Sequence, residues 1–372
     1  MIKKYIVVAF AFLAFIAGCV APTTKRVEVD DVLVELEAMQ QREIALKDRM
    51  KDQKRLMGIS YPILYASAEL CGKKIRPSLG LIYANKHAFQ ESLQDTAIRI
   101  YGMGEALKII QVVPGSPGAE AGFREGDILV SFNEESVPMG FGAAKKFFLM
   151  QHDEMKSAEP VKISIMRDGA LIDINVTPRE ICDYPVIVGG QTSVNAYADG
   201  QKVVIFKGML RFAEDDQELA LVVSHELAHN IMKHIEAKTQ NYMLGMLVDL
   251  LAAAYGINTQ GMFGQMAARA YSQDFEAEAD YVGLYMMART GLKIDNAALF
   301  WRRMAALHPG SIEGSHLSTH PATPARFMTI EETVKEIQAK IDAGRPLEPE
   351  YNEQKKEIDG EALKRISPPG IK

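Results

Sequence analysis

The sequence predicts an α+β protein: a mainly helical domain with a small edge sheet, into which a β-rich domain is inserted. Segments with apolar residues three and four apart stand on both sides of the chain's middle, over 29–57, 215–231 and 272–290. Between Cys71 and Cys182 the pattern changes to short alternating strands punctuated by Gly and Pro. The 372 residues, 48% hydrophobic and 24% charged, have ordinary globular composition and room for two domains. The net charge of −6 comes without a clustered basic stripe, which argues against nucleic acid as a partner.

The N-terminus carries Lys3 and Lys4, then an apolar run from Tyr5 to Ala17 that is too short to span a bilayer and suits a signal peptide. Its end, Ile16-Ala17-Gly18-Cys19, resembles a bacterial lipobox. That resemblance implies a lipoprotein signal peptide over 1–18 and a lipidated Cys19 that attaches the mature chain to a membrane. Val20 after the cysteine implies, by resemblance to Gram-negative lipoproteins, the outer membrane and a chain facing the periplasm. Residues 19–28 read as a tether and 29–70 as an N-terminal helical arm. In the arm Val29, Val32, Leu36, Met39, Leu46 and Met50 keep helical spacing over 29–57, with Glu43 interrupting it. The interrupted stripe suits packing on its own domain better than a coiled-coil dimer.

The inserted stretch contains a strand, then Ser116 as helix cap, Pro117 at the first helical position and Gly122 as stop. Further on, Val161, Ile163 and Ile165 alternate before Asp168-Gly169, and Ile172, Ile174 and Val176 alternate after it, which predicts a hairpin. This arrangement resembles a PDZ domain, over 72–180. By that resemblance Leu79-Gly80-Leu81-Ile82 is the loop that receives a peptide's C-terminal carboxylate. A helix from Ala143 to Met150 forms the opposite wall, with Phe147 and Phe148 as apolar lining. Residues 84–106 are an unusually long excursion for such a domain. Cys71 and Cys182 flank the insertion, where the two chain crossings lie close, and form a candidate disulfide in an oxidising compartment. The three cysteines show no CxxC spacing and so suggest neither a structural zinc nor a redox dithiol.

The chemistry concentrates in SHELAHNIMKH, residues 224–234. Asp215 and Asp216 are cap candidates, and Leu219, Val222, Val223, Leu227 and Ile231 keep helical spacing. On that helix His225 and His229, four apart, share a face and can converge on one metal ion, with Glu226 beside them as general base. A chance HExxH in such a chain has odds of roughly one per cent. A third ligand is required, and the helix read from SQDFEAEADYVGLYMMARTG supplies Glu276, with Asp280 four residues on as the acceptor that orients a histidine ligand. Glu278 is the alternative ligand, although it points to another face. One zinc ion per chain is expected. The apolar segment from Tyr242 to Tyr255 is too short for a membrane span and contains Asp249, so it reads as a buried or surface-docking helix whose methionines pack in the core.

SHELAHNIMKH, followed by FEAEAD, preceded by VNAYADGQKVVIFKGMLRF and followed by LSTHPATPAR, resembles the HtpX-like and Ste24-like zinc metallopeptidases of the gluzincin group over about residues 183 to 340. The resemblance implies a peptidase domain over 183–345, before a C-terminal tail over 346–372, with His225, His229 and Glu276 on zinc and Glu226 as base. It sets Asn195, Ala196, Tyr197 and Ala198 near the cleft, before an edge strand at Val203 to Phe206 that pairs with an extended substrate backbone. It also brings the loop with His320 over the zinc, where His320 either closes the open metal position as a latch or supports the developing oxyanion. Arg326 anchors that loop on a carboxylate, with Asp280 as candidate. The implied activity is a lipid-anchored envelope endopeptidase acting on misfolded or mislocalised proteins, with peptide segments selected by the PDZ groove. The rival reading is a non-catalytic or latched PDZ-containing chaperone or scaffold, against which the intact Glu226 speaks.

Overall fold

The computed structural model describes residues 23–255, 257–269, 272–307, 320 and 323–351, and the chain divides into two compact units, Met1–Ile44 and Ala45–Lys372. The segment 1–18 expected to be a signal peptide and Cys19 lie outside the described residues, as does most of the expected tail. Within the first unit, the side chain of Asp30 accepts from Val32 N at 2.8 Å and opens helix α1 (Asp31–Ala66), and Arg42 pairs with Glu35 at 2.6 Å.

In the second unit α1 runs past the expected Met57, with Pro62 inside it. Proline in a helix interior costs about 3 kcal/mol. Here Leu56, Ile59, Tyr61, Ile63 and Leu64 bury against the core, and each such side chain contributes about 1.5–3 kcal/mol, so packing outweighs the break.

Strand β1 (Ile75–Ser78) precedes β2 (Leu81–Ala84), α2 (Glu91–Tyr101), β3 (Lys108–Val112), α3 (Pro117–Glu120), β4 (Ile128–Phe132) and β5 (Glu135–Ser136). Then come α4 (Ala143–Glu154), β6 (Val161–Arg167), β7 (Ala170–Val176) and β8 (Arg179–Cys182). The sheet of this region is antiparallel, in the order β2-β3-β4-β6-β7 with β5 beside β4. Asp168 and Gly169 join β6 to β7 with φ of 51° and 80°, the left-handed pair that a two-residue hairpin needs. Ser116 caps α3 by accepting from Ala119 N. Phe132, Phe147, Ile163 and Ile165 fill the core between sheet and α4. The excursion at 84–106 is explained by α2, whose Ala97 packs with Met103 and Phe89 onto Leu46 and Met50 of α1. The strands β1 and β8 pair as a separate two-stranded ribbon where the chain enters and leaves the insertion, and Cys71 and Cys182 are bonded there, Cα atoms 5.7 Å apart.

The helical domain begins with β9 (Val186–Gly189), β10 (Ala196–Ala198) and β11 (Val203–Phe206), in the order β10-β11-β9. The expected edge strand at Val203 to Phe206 is therefore the centre of its sheet, parallel to β9 and antiparallel to β10. Val203, Val204 and Ile205 are all buried, a continuous apolar run that fits a strand flanked on both sides, and the edges are β9 and β10. Helices α5 (Lys207–Phe212), α6 (Asp216–Ile231), α7 (His234–Ala254), α8 (Met262–Arg269), α9 (Ser272–Arg289), α10 (Ala297–Leu307) and α11 (Pro324–Asp342) follow. Helix α6 is buried from Leu219 to Asn230 and packs against α9. Of the two readings of the segment Tyr242 to Tyr255, buried or surface-docking, the exposed one holds: Met243, Leu244, Leu247, Leu250 and Leu251 are exposed, only Gly245 and Asp249 of that stretch are buried, and the methionines do not pack in the core as expected. Among the described residues no helix is long and apolar enough to cross a membrane.

Candidate metal centre and peptide cleft

Helix α6 is fixed at its start before it presents any ligand. Asp215 Oδ1 accepts from Gln217 N and Glu218 N, both at 2.9 Å, a cap worth about 1 kcal/mol. Arg55 of α1 reaches over this end, donating to Leu210 O at 2.7 Å and Asp215 O at 2.8 Å and pairing with Asp216. Two turns after Glu276, Gly283 lets α9 approach α6 closely, since a Cβ there would stand 3.1 Å from His225 N.

The two imidazoles are oriented by separate partners. Asp280 Oδ1 lies 2.9 Å from His225 Nδ1, and Arg326 holds Asp280 with Nε and Nη2 at 2.6 and 2.9 Å. Glu278 Oε2 lies 2.7 Å from His234 Nε2, and His234 Nδ1 lies 2.9 Å from His229 Nδ1. These partners assign the protons: Glu278 accepts from His234 Nε2, His234 Nδ1 accepts from His229 Nδ1, and Asp280 accepts from His225 Nδ1. Both Nε2 atoms are then left as lone-pair donors, and they face each other 3.2 Å apart. Glu276 adds its carboxylate, 3.3 Å from His225 Nε2 and 3.4 Å from His229 Nε2, and its buried Oε1 has no hydrogen-bond partner. Lone pairs and an unsatisfied carboxylate oxygen converging in a buried site are the fit expected of a cation site, and two imidazoles with one carboxylate suit zinc.

His320 enters the same cluster. Its Nδ1 lies 2.8 Å from Glu276 Oε2 and its Nε2 3.5 Å from Glu226 Oε1. One ligand atom each from His225, His229, Glu276 and His320 all lie within 4.8 Å of one another. Pro321 next to it lies outside the described residues. Burial works against a charged His225, but the Asp280 and Glu276 carboxylates prevail and raise it to about 9, so without an ion its Nε2 keeps a proton that a metal would displace. Burial and the neighbouring His225 instead take His229 down to about 4, against the pull of Glu276. Burial opposes ionisation of Glu276 too, yet His320, His225 and His229 hold it well below the usual carboxylate range.

Two members of the site, His234 and Trp301, were not singled out from sequence, and a third, Glu278, takes a part other than the ligand position for which it was the alternative. His234 and Glu278 form the chain that orients His229, so Glu278 does lie on another face and serves a histidine rather than the ligand position. Trp301, the single tryptophan, sets its edge 5.0 Å from His225 and lies under the Arg326 guanidinium at 4.8 Å. His234 stands five residues after His229, which is off-face on a continuous helix. The chain breaks between them, with Lys233 at φ 58°, and that turn returns His234 to its partner.

The substrate-side candidates are divided. Ala196 of β10 is buried in the core, while Tyr197 beside it is partly exposed and meets Phe206 edge-on at 5.8 Å; Asn195 O accepts from Phe206 N. In the inserted domain, Leu79, Gly80 and Leu81 border a cleft of about 280 Å³ between β2 and α4, closed on its far side by Met57 and Tyr61 of α1 and Ile187 of β9. Gly80 takes φ 69°, and a Cβ there would overlap Ser116 at 2.2 Å. Phe148 lines this cleft, but Phe147 does not: it is buried between Phe132 and Tyr83, because its position on α4 faces the sheet. Tyr83 Oη donates to Gln151 Oε1 at 2.8 Å, so the two walls of the cleft are bonded to each other.

Residues 173–334 match the model of peptidase family M48, and residues 108–152 match the model of the PDZ domain. Mitochondrial metalloendopeptidase OMA1 of Saccharomyces cerevisiae is 33% identical over 145 residues, covering 36% of this chain and 42% of that protein. A putative zinc metalloprotease of Thermotoga maritima is 26% identical over 199 residues, covering 49% of this chain and 36% of its own length. The beta-barrel assembly-enhancing protease of Yersinia pestis is 25% identical over 150 residues, covering 36% of this chain and 31% of that protein. The chain thus spans less than half the length of these relatives. A solved structure of the HtrA3 PDZ domain bound to a phage-derived ligand aligns at 16% identity and a TM-score of 0.23, covering 29% of this chain and 89% of that one. Helices α6 and α9 and Arg326 thus lie inside the region that is similar to peptidase family M48, and β3 to α4 spans the region that is similar to the PDZ domain.

Proposed function

We propose that the protein is a zinc-dependent endopeptidase of the bacterial cell envelope, lipid-anchored through Cys19 at the outer membrane, that degrades misfolded or mislocalised proteins. The observation that carries the catalytic part is the convergence of two oriented Nε2 atoms on the Glu276 carboxylate, His225 beside Oε2 and His229 beside the unsatisfied Oε1. Held by His225, His229 and Glu276, zinc supplies polarisation of a peptide carbonyl and a lowered pKa for water. Glu226, buried beside His225, takes a proton from the attacking water as the new C–O bond forms and returns it to the amine as the C–N bond breaks. Asp280 and His234 keep the ligand rings in place, and Arg326 keeps Asp280 charged.

His320 acts as a latch. Its ring supplies a fourth ligand atom, and a closed four-ligand set leaves no position for water or substrate. His320 therefore leaves the site before catalysis. An extended substrate pairs with the edge strand β10, with Asn195 and Tyr197 at its margin, in place of the central β11. The cleft at Leu79, Gly80 and Leu81 selects apolar C-terminal segments.

Casein proteolysis with and without chelator tests the reading. Glu226→Gln should retain zinc by metal analysis and lose activity by about 10²-fold or more, and His229→Ala should lose both. An active Glu226→Gln, or a purified wild type that binds no zinc, sinks it. His320→Ala should keep zinc and cleave faster than wild type; unchanged activity removes the latch. A zinc-loaded wild type that suppresses aggregation without cleaving casein would favour the scaffold reading. Mass spectrometry of the mature N-terminus that finds Cys19 unmodified rejects the anchor.

A further inference from the structure

Between Lys238 and Arg269 the only charged residue is Asp249. That stretch builds the hairpin of α7 and α8, and apart from Gly245 and Asp249 every residue from Tyr242 to Leu251 is exposed. The exposed side chains are Tyr242, Met243, Leu244, Met246, Leu247, Val248, Leu250 and Leu251. They cover most of the circumference of α7 and not a single stripe. A helix that is apolar nearly all round needs an apolar surrounding on all those sides. A protein groove covers a stripe at three-four spacing and would leave the opposite side of α7 in water.

The side that faces α8 is built as polar groups must be when water is excluded. The Asp249 carboxylate accepts from Thr259 Oγ1, from Phe263 N at 3.2 Å and from Gly264 N at 2.8 Å, which satisfies the first turn of α8 within the hairpin. The two helices meet through glycine: a Cβ on Gly245 would stand 2.2 Å from Phe263 O, and one on Gly264 would stand 2.9 Å from Met246 Cγ. Small residues at a helix crossing bring backbones together where no hydrophobic effect drives association.

We propose that the α7–α8 hairpin inserts into one leaflet of a lipid bilayer, as a membrane contact independent of any lipid on Cys19. The apolar stretch from Tyr242 to Leu251 is about 15 Å of helix, half of the roughly 30 Å hydrocarbon core, which sets insertion to a leaflet and not a span. Tyr242 marks the water boundary and Lys238 stays on the headgroup side. At the root of the same helix His234 touches His229, so the leaflet surface begins about two helical turns from the metal centre. Resting on the metallopeptidase reading, this directs cleavage to polypeptides held at a membrane surface.

The test uses the chain from residue 19 onward with Cys19→Ser, so that neither the apolar run of 1–18 nor an acyl chain contributes, and vesicles of phosphatidylethanolamine and phosphatidylglycerol. A fluorophore on Leu247→Cys should be quenched by nitroxide-bearing lipid and shielded from aqueous iodide, whereas one on Phe141→Cys, 84% exposed in the inserted domain, should behave oppositely. Leu247→Glu with Leu251→Glu should lower vesicle partitioning roughly tenfold or more while thermal midpoint, zinc content and casein cleavage without vesicles stay unchanged. A label at 247 open to iodide and blind to the lipid quencher overturns the proposal. So does a double glutamate variant that partitions like the parent, including one that only converts a dimer to a monomer. Loss of casein cleavage in the parent chain would strike the enzymatic reading alone and leave the vesicle result standing.

Discussion

The metal centre and the cleft of the inserted domain both form where distant parts of the chain meet, yet they are held in opposite ways. At the centre, Asp280, Arg326, His234 and Glu278 surround the two ligand rings and turn their lone pairs inward. At the cleft, the neutral bond from Tyr83 to Gln151 ties the walls to each other, and the lining is mainly apolar, with Arg76 as its one charged member. Charged groups support one site so that it waits ready for an ion. A self-bond narrows the other, so a peptide must compete with the protein's own contact. Preorganisation and self-closure thus divide the two sites, and each difference can be probed by removing one partner.

The largest effect is expected at Asp280. With Asp280→Ala, Arg326 is left as a buried charge without its bidentate partner, and breaking such a pair costs about 3–5 kcal/mol. Denaturant unfolding that shows less than about 1 kcal/mol of loss would mean the centre is not held by this pair. Next comes the chain behind His229. His234→Ala and Glu278→Ala should each lower zinc affinity by about 10- to 100-fold with the fold intact. Competition with a chelator, followed by the fluorescence of Trp301, reads this directly because no second tryptophan interferes. Equal affinity in both variants would reduce His234 to a packing residue.

What was legible in the sequence follows the same division. His225, His229 and Glu276 could be read because helical spacing is local: i and i+4 share a face whatever the rest of the chain does. Asp280 followed from the need of a buried ring for an acceptor, while Arg326 came only with the family resemblance, as the anchor of the segment that carries His320. His234 was not legible because a left-handed Lys233 breaks the helix, and a spacing argument stops at a break. The hairpin turn at Asp168-Gly169 and the cap at Ser116 were read from local chemistry. The order of the small sheet was not, since burial of Val203 to Ile205 looks the same in a short edge strand as in a central one until its neighbours are known. The exposure of Tyr242 to Leu251 escaped for a related reason: apolar content says that a helix avoids water, and only the tertiary structure says whether protein covers it.

At the cleft the expected change is smaller and opposite in sign for stability and binding. Tyr83→Phe removes the hydroxyl that bridges to Gln151, at a cost of about 1 kcal/mol to the inserted domain, and frees the wall for a ligand. A labelled peptide with an apolar C-terminal residue should therefore bind more tightly to Tyr83→Phe than to wild type, by fluorescence anisotropy. Weaker binding would show that the hydroxyl contacts the peptide and that the cleft is not closed by its own bond.

The smallest expected effect separates the two sites by pH. Glu336 of α11 accepts from Tyr285 Oη at 2.5 Å and from Tyr281 Oη at 2.9 Å, with Lys340 at 3.5 Å, and both tyrosines lie on α9, the helix that carries Glu276. Burial would raise the Glu336 carboxyl, but the hydrogen bonds from Tyr285 and Tyr281, aided by Lys340, hold it below its ordinary value. A carboxyl whose folded value is depressed contributes stability that is present above the unfolded value of about 4.3 and is lost as pH falls through the folded one. The backing of α9 should therefore weaken on acidification below about pH 4, and Glu336→Gln should flatten that part of the pH dependence by losing the carboxylate's contribution at neutral pH, so that the two curves converge in acid. The bond from Tyr83 to Gln151 involves no group that titrates in this range, so peptide binding should not respond to Glu336→Gln at any pH. Unfolding midpoints between about pH 3 and 7 for wild type and variant make the comparison. Parallel curves would take Glu336 out of the support of the metal centre, and an acid-dependent change in peptide affinity that vanishes with Glu336→Gln would show that the two sites share their support after all.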